Sequence, residues 1–326
     1  MAGNNTTKPA LDDLPTLRFA VNIAVFVVGI LSILTNGTLL VVTVLDPLKK
    51  FKRSSIYFIT SLSVSDFLTA IISCIFAFKA KVSLDPIFQE AIGASIWASV
   101  QNSFITVLLL AVERLFVVKE PLRARRIITR RRTVVAIAIT WIVSVLSGGA
   151  TGISYEHKSH VQFALLIEFM LIVLAMILIY LRILVLLKRS DYLFEGKRVS
   201  GGNASCCQMR TTRASVRSQH NLNLVVFIMA VILISTVVPH LIIGLVYHGF
   251  RLFCPNTCAL TPALNIAAHV SFPIEMLHFV LNPVVYAWRL REYRQSLRYC
   301  LSRRITEGQN SCGLRTSFIH SRKESR

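Results

Sequence analysis

Asp66 stands midway along an apolar run, in Leu62-Ser63-Val64-Ser65-Asp66. A charge at such a place costs several kcal/mol unless it has a task. Asn36, Asn102, Ser103 and Asn282 lie at depths from which they would converge on it. Oxygen ligands around one carboxylate suit a small hard cation, or a protonated acid in a hydrogen-bond network. The blander reading is helix glue, worth under ~1 kcal/mol per bond. A second feature is Glu113-Arg114 at the end of another apolar run. The acid can hold the guanidinium until a partner competes for it; a snorkelling arginine is the alternative. In Asn282-Pro283-Val284-Val285-Tyr286 the proline removes one backbone bond and kinks a helix, while Asn282 can satisfy the freed groups. Pro239 does the same elsewhere, and two such hinges suit a conformational relay. Glu168 and Glu275 are acids in outer halves of apolar runs, at the depth of His240, Phe272 and Trp97. Together they predict an outward-opening pocket whose acids bind a cation or carry a proton. A plain helix-to-helix bond is the alternative.

The elements that must position these residues follow from hydropathy. Seven apolar stretches run near Phe19–Leu45, Ser55–Phe78, Phe88–Val118, Thr133–Ile153, Val161–Leu187, Leu222–Tyr247 and Ala263–Trp288. About 20 helical residues cross a hydrocarbon core, and lipid satisfies no backbone groups, so such segments must be helices. Of 36 Lys and Arg, only Lys8, Arg18, Lys79, Lys81, Lys158 and Arg251 fall on one side of the zigzag. The rest crowd the other side, which the positive-inside rule makes cytoplasmic. The first residues are therefore expected outside and the last inside. The fold predicted is all-α: a seven-transmembrane helix bundle with a short amphipathic eighth helix. Residues 1–17 form an outer tail, 18–290 the bundle, 291–303 the amphipathic helix and 304–326 an inner tail. In that eighth helix Tyr293, Leu297, Cys300 and Leu301 share a face opposite Arg294 and Arg298, as for a helix lying on the inner leaflet.

The net charge of +20 could suggest nucleic acid. Its one-sided placement instead assigns it to membrane insertion and anionic inner-leaflet lipids, so no nucleic-acid partner is expected. Residues 1–17 have no apolar core, so the first span is read as an uncleaved signal anchor. Asn4 and Asn5 begin glycosylation acceptor triplets on the outer tail. Among seven cysteines, Cys254 and Cys258 form the one pair on the oxidising side and could close a small disulfide ring. Cys300, at the end of the amphipathic segment, is a palmitoylation candidate. The inner connection Arg189–Asn221 is rich in Ser, Arg and Gly and reads as flexible. No nucleophile–base pair or metal-ligand spacing supports an enzyme. No repeat links the two halves, which argues against a carrier using Glu168, Glu275 and Asp66 as a relay.

In order along seven helices, Asn36, Leu62 with Asp66, Glu113-Arg114, Trp141, Tyr180, Pro239 and Asn282-Pro-x-x-Tyr286 resemble the rhodopsin-like class of G-protein-coupled receptors. Tyr180-Leu-Arg-Ile, the Cys254-Pro-x-x-Cys258 turn and the stretch from Asn282 to Gln295 are similar to adenosine receptors. Gln89 in place of an extracellular cysteine, the tiny second outer loop and Ile172 look like melanocortin receptors instead. The departures from these patterns are informative. Gly244 and Glu275-Met276 replace the adenosine-gripping residues, Ile96 the amine-binding acid, and Met276 the retinal lysine. Phe76 and Gly93 lack the melanocortin acids, and Val237 and Leu115 replace switch residues; Asp66 with Ser103 resembles the family's sodium pocket, although His278 replaces an asparagine near it.

The resemblance implies a plasma-membrane receptor that passes binding of an extracellular ligand to a heterotrimeric G protein. Glu113, Arg114, Tyr180, Pro239, Pro283 and Tyr286 would carry coupling and switching. A cationic, adenosine-like or peptide ligand is expected at Glu168, Glu275, His240, Phe272 and Trp97. The alternative is a non-signalling or constitutively active receptor-like membrane protein, which the changes at Val237 and Leu115 suggest.

Overall fold

In the computed structural model, residues 15–48, 54–78, 85–153, 158–200, 206–253, 262–289 and 292–300 are described. Among them the chain is helical, with no strand. The helices are α1 (Pro15–Leu45), α2 (Ser54–Phe78), α3 (Pro86–Lys119), α4 (Pro121–Ile127), α5 (Arg130–Ile153), α6 (Lys158–Ser200), α7 (Cys206–Phe253) and α8 (Pro262–Arg289). A ninth, α9, covers 292–300. Seven of these are long and apolar enough to cross a bilayer, all but α4 and α9. The protein is a multi-pass membrane protein.

Local sequence sets several ends. Asp46 leaves α1 in the left-handed region, at φ 32, a conformation that Asn and Asp tolerate better than most residues. Asp85 caps α3 by accepting from the Ile87 N–H at 2.8 Å, and Pro86 fills the first turn, where its missing donor costs nothing. Pro121 opens α4, and the exposed pair Arg123–Glu120 at 3.2 Å spans its start.

α3 is the central column and packs against α2, α5, α6 and α7, while α8 closes the ring between α7 and α1. Small residues permit the close approaches. A Cβ on Gly148 of α5 would lie 2.5 Å from the Ala94 carbonyl oxygen and 2.6 Å from Ala98 Cβ of α3. The interior is a continuous apolar core that includes Phe58, Leu62, Phe104, Val107, Phe169 and Tyr286. Outward faces keep large apolar side chains exposed, Leu146, Leu171 and Val185 among them. In water that would be a liability, but against lipid chains it is the expected surface.

Two boundaries differ from expectation. α1 begins at Pro15, inside the segment assigned to the outer tail. The connection read as flexible is largely helix, because α6 runs to Ser200 and α7 starts at Cys206. Composition favoured a loop there, but each strand of the connection extends a membrane helix that is already nucleated, and propagation is far cheaper than nucleation. In α9, Tyr293 and Ser296 are buried while Arg294 and Arg298 face out. Burial pushes the Tyr293 phenol up to about 12. Asn4, Asn5, Cys254, Cys258 and Leu301 lie outside the described residues.

Candidate functional site

Three polar layers follow one another along α3. The outermost is a cavity of about 410 Å³ open toward the outer ends of the helices. Glu90, Trp97, His240, Phe272 and Glu275 line it, on walls supplied mainly by Val, Leu, Ile and Phe. His240 bridges α7 to α8: its Nε2 lies 3.1 Å from Glu275 Oε2 and its Nδ1 2.8 Å from Ser271 Oγ. Near the rim, Lys158 Nζ forms an ion pair with the Glu90 carboxylate. Four of the five expected ligand residues therefore meet here.

Glu168 does not join them. Its two carboxylate oxygens accept from Gln101 Nε2 at 3.0 and 3.2 Å, between α6 and α3. Depth placed Glu168 correctly, but the helix's rotation turns it out of the cavity. The Glu90–Lys158 pair was missed in the sequence, although both residues could have been flagged as charges near helix starts with opposite sign.

From the cavity floor, aromatic rings descend toward the centre. Trp97 stacks on Phe169 (centroids 5.9 Å apart, 20° between planes), and Phe169 on Phe104 (4.8 Å, 19°). Phe104 meets the edge of His278 at 6.1 Å. His278 Nδ1 lies 2.6 Å from the Glu275 carbonyl oxygen. A carbonyl only accepts, so Nδ1 carries a hydrogen and donates.

The second layer is centred on Asp66, which is fully buried. Ser103 Oγ donates to Asp66 Oδ1 at 2.8 Å, and Asn282 Nδ2 donates to Oδ2 at 2.9 Å. One carboxylate thus ties α2 to α3 and α8. Asn36 does not touch it; its Nδ2 donates to the Ser32 and Phe279 carbonyls at 3.1 and 3.0 Å, joining α1 to α8. The Asn102 carboxamide is buried and makes no hydrogen bond among the described residues. The five polar residues expected to converge resolve into a three-residue centre, a neighbouring clamp and one outlier. Asp66 and Ser103 present oxygens with lone pairs to spare, which fits a hard monovalent cation that completes its shell with water. Among the described residues no group of three His, Cys, Asp or Glu could hold a transition metal.

The innermost layer holds Arg114, only 5% exposed. Arg114 Nη2 lies 3.2 Å from Glu113 Oε2, and the same nitrogen contacts Ser55 Oγ on α2. Ser55 Oγ in turn donates to Glu113 Oε1 at 2.9 Å. Ser55 was not singled out in the sequence, where nothing separates it from the other serines of that span. Tyr180 and Tyr286 are buried, with hydroxyls that make no hydrogen bond among the described residues, and Tyr180 packs edge-on against Phe227 at 6.4 Å. Pro239 and Pro283 sit inside α7 and α8, and α8 carries another, Pro273. Cys300 is a half-buried free thiol at the end of α9.

The family model of the 7 transmembrane receptor (rhodopsin family) matches residues 36–162, the segment holding Asn36, Asp66, Ser103 and Glu113-Arg114. Over that segment the chain resembles the rhodopsin family of seven-transmembrane receptors. Human adenosine receptor A2a is 23% identical over 284 residues, covering 78% of this chain and 65% of that receptor. Adenosine receptor A2b of Gallus gallus is 25% identical over 135 residues, 41% of this chain and 39% of the relative. The GQ-coupled rhodopsin of Mizuhopecten yessoensis is 25% identical over 134 residues, 40% and 26% respectively. The chain spans less than two thirds of the length of these curated relatives.

Proposed function

We propose that this receptor lies in the plasma membrane with its N-terminus outside. It binds an extracellular ligand in the outer cavity and activates a heterotrimeric G protein from its inner face. The observation that carries the proposal is α3 itself, which presents Trp97 to the cavity, Ser103 to Asp66 and Arg114 to the inner clamp. Trp97 and Arg114 are 17 positions apart, or about 25 Å along a helix. A small shift or rotation of one rigid element thus changes all three layers at once.

The proposed mechanism is a choice between two packings. In the resting one Arg114 is held by Glu113 and Ser55, and Asp66 ties α2, α3 and α8 together. Sodium against Asp66 and Ser103 would add weight to this state. A ligand that fits the cavity better in the second packing draws the population toward it, and can do so only by its difference in affinity. Opening of the inner ends, with Pro239 and Pro283 as hinges, then releases Arg114 to the G protein.

The test is nucleotide exchange on a panel of purified heterotrimeric G proteins with the full chain reconstituted in lipid. The proposal expects faster exchange by at least one G protein and its loss in Arg114→Ala. A panel that never responds would refute it.

A further inference from the structure

The two acids and the lysine that line the outer cavity are already paired, Glu90 with Lys158 and Glu275 with His240. The second pair sits deep, with side chains 20% exposed for His240 and 7% for Glu275. Its hydrogens can be followed. Ser271 has one hydroxyl hydrogen, and its oxygen lies 3.0 Å from the Ala268 carbonyl, which can only accept. With that hydrogen on the Ala268 carbonyl, His240 Nδ1 donates to Ser271 Oγ. One further proton then lies between Nε2 and Glu275 Oε2, on either atom. Both placements leave the pair without net charge, the state that a poorly hydrated site favours over an isolated carboxylate.

The walls reinforce this. Trp97, Phe169, Phe272 and Leu241 form apolar surfaces, while Asn22 and Gln162 offer carboxamides. Asn22 also lines a second cavity of about 370 Å³ between α1 and α2, walled by Phe19, Ile23, Phe26 and Phe78.

We infer that the outer cavity binds an uncharged, largely apolar small molecule with one or two hydrogen-bonding groups, and not a cation. Glu275 is consumed by His240 and offers no free charge to an ammonium group. A cation could claim the carboxylate only by displacing the imidazole and stranding its proton. An apolar body with a carbonyl, hydroxyl or amide edge leaves both pairs intact and fills the walls. Such pockets, mostly apolar with a few fixed polar groups, are the usual form of small-molecule sites. This inference rests on the outer cavity being the ligand site.

A charge-reading experiment tests it without a known ligand. Gly93 lines the cavity, and a Cβ there meets nothing within 4 Å, so Gly93→Cys is tolerated sterically. The full-length variant in lipid is treated with three methanethiosulfonates: trimethylammonioethyl (cationic), sulfonatoethyl (anionic) and benzyl (neutral). Rates are normalised to a free thiol in solution, and the parent chain supplies the background of native cysteines. His248 and His269 also line the cavity, and all rates are read at one pH. The expected result is cationic and anionic rates within about threefold of each other, the neutral rate highest, and no change of ratio on adding Glu275→Gln. A cationic rate more than about tenfold above the anionic one, abolished by Glu275→Gln, overturns the inference. So does an equally large anionic preference. Val21→Cys, across the cavity on α1, serves as the second position should the first variant misfold. None of these rates passes through a G protein, so failure here and failure of the receptor reading remain separate results.

Discussion

Substituting Glu113→Gln should raise signalling in the absence of any ligand, and the inner clamp gives the size of the effect. In the resting packing Glu113 Oε2 lies 3.2 Å from Arg114, both side chains are 6% exposed, and Oε1 accepts from Ser55 at 2.9 Å. The gross attraction of such a pair is large, about 4 kcal/mol at 4 Å with an effective dielectric constant near 20. Only the part lost specifically from the resting packing shifts the equilibrium. A hydrogen bond to a charged group contributes about 1.5–3 kcal/mol, which corresponds to roughly 10- to 150-fold in the ratio of the two states. If the active packing is on the order of 1% populated, it rises to between about 10% and about 60% of the molecules. Ser55→Ala removes a donor to the charged Glu113 carboxylate, worth about 1.5 kcal/mol at the low end for such a bond, and should raise basal exchange about tenfold. Because both changes act on one clamp, the double variant should exceed Glu113→Gln by less than that factor. The assay is basal nucleotide exchange on the responding G protein, normalised to receptor at the cell surface. Unchanged or lower basal exchange in a well-expressed Glu113→Gln variant would refute the reasoning.

Three further outcomes follow from the same geometry. Asp66→Asn keeps the shape of the carboxylate but removes its charge, so ligand affinity and basal exchange should lose any dependence on sodium concentration. Sodium sensitivity equal to the parent's would exclude Asp66 as the cation ligand. Gly148→Ala places a methyl 2.5 Å from the Ala94 carbonyl oxygen, and overpacking of this kind costs about 1–3 kcal/mol; thermal unfolding in detergent should occur several degrees lower, whereas an unchanged midpoint would show that α5 can back away from α3. The Cys300 thiol, half-buried at the end of α9, should be acylated in cells; hydroxylamine-sensitive labelling that persists in Cys300→Ser would place the modification elsewhere.

The sequence made depth legible and azimuth much less so. The membrane's penalty on polar groups marks residues such as Asp66, Asn36 and Glu275, and counting along a helix gives their level. That was enough to join Asp66, Ser103 and Asn282, because each sits on a face that must be buried. It was not enough for Glu168 or Asn102. Whether Glu168 meets a ligand or Gln101 depends on a rotation of α6, and hydropathy cannot fix that when the helix is apolar nearly all round. Helix ends had the same weakness in another form. Composition marked Arg189–Asn221 as a connection but did not reveal that α6 and α7 continue through most of it. The pairing of His240 with Glu275 was within reach, since both were placed in one pocket. Its consequence was not, because only the geometry at Ser271 shows where the hydrogens must go.

The central claim is that a change at the inner end of α7 relative to α3 connects the cavity to the G protein. Spin labels at Phe116→Cys on α3 and Val231→Cys on α7, both at exposed positions, would report that separation directly by double electron–electron resonance. With the full chain in lipid and a nucleotide-free G protein bound, the account predicts a new, longer population in the distance distribution, absent from the Arg114→Ala variant. A distribution that G protein leaves unaltered would contradict it.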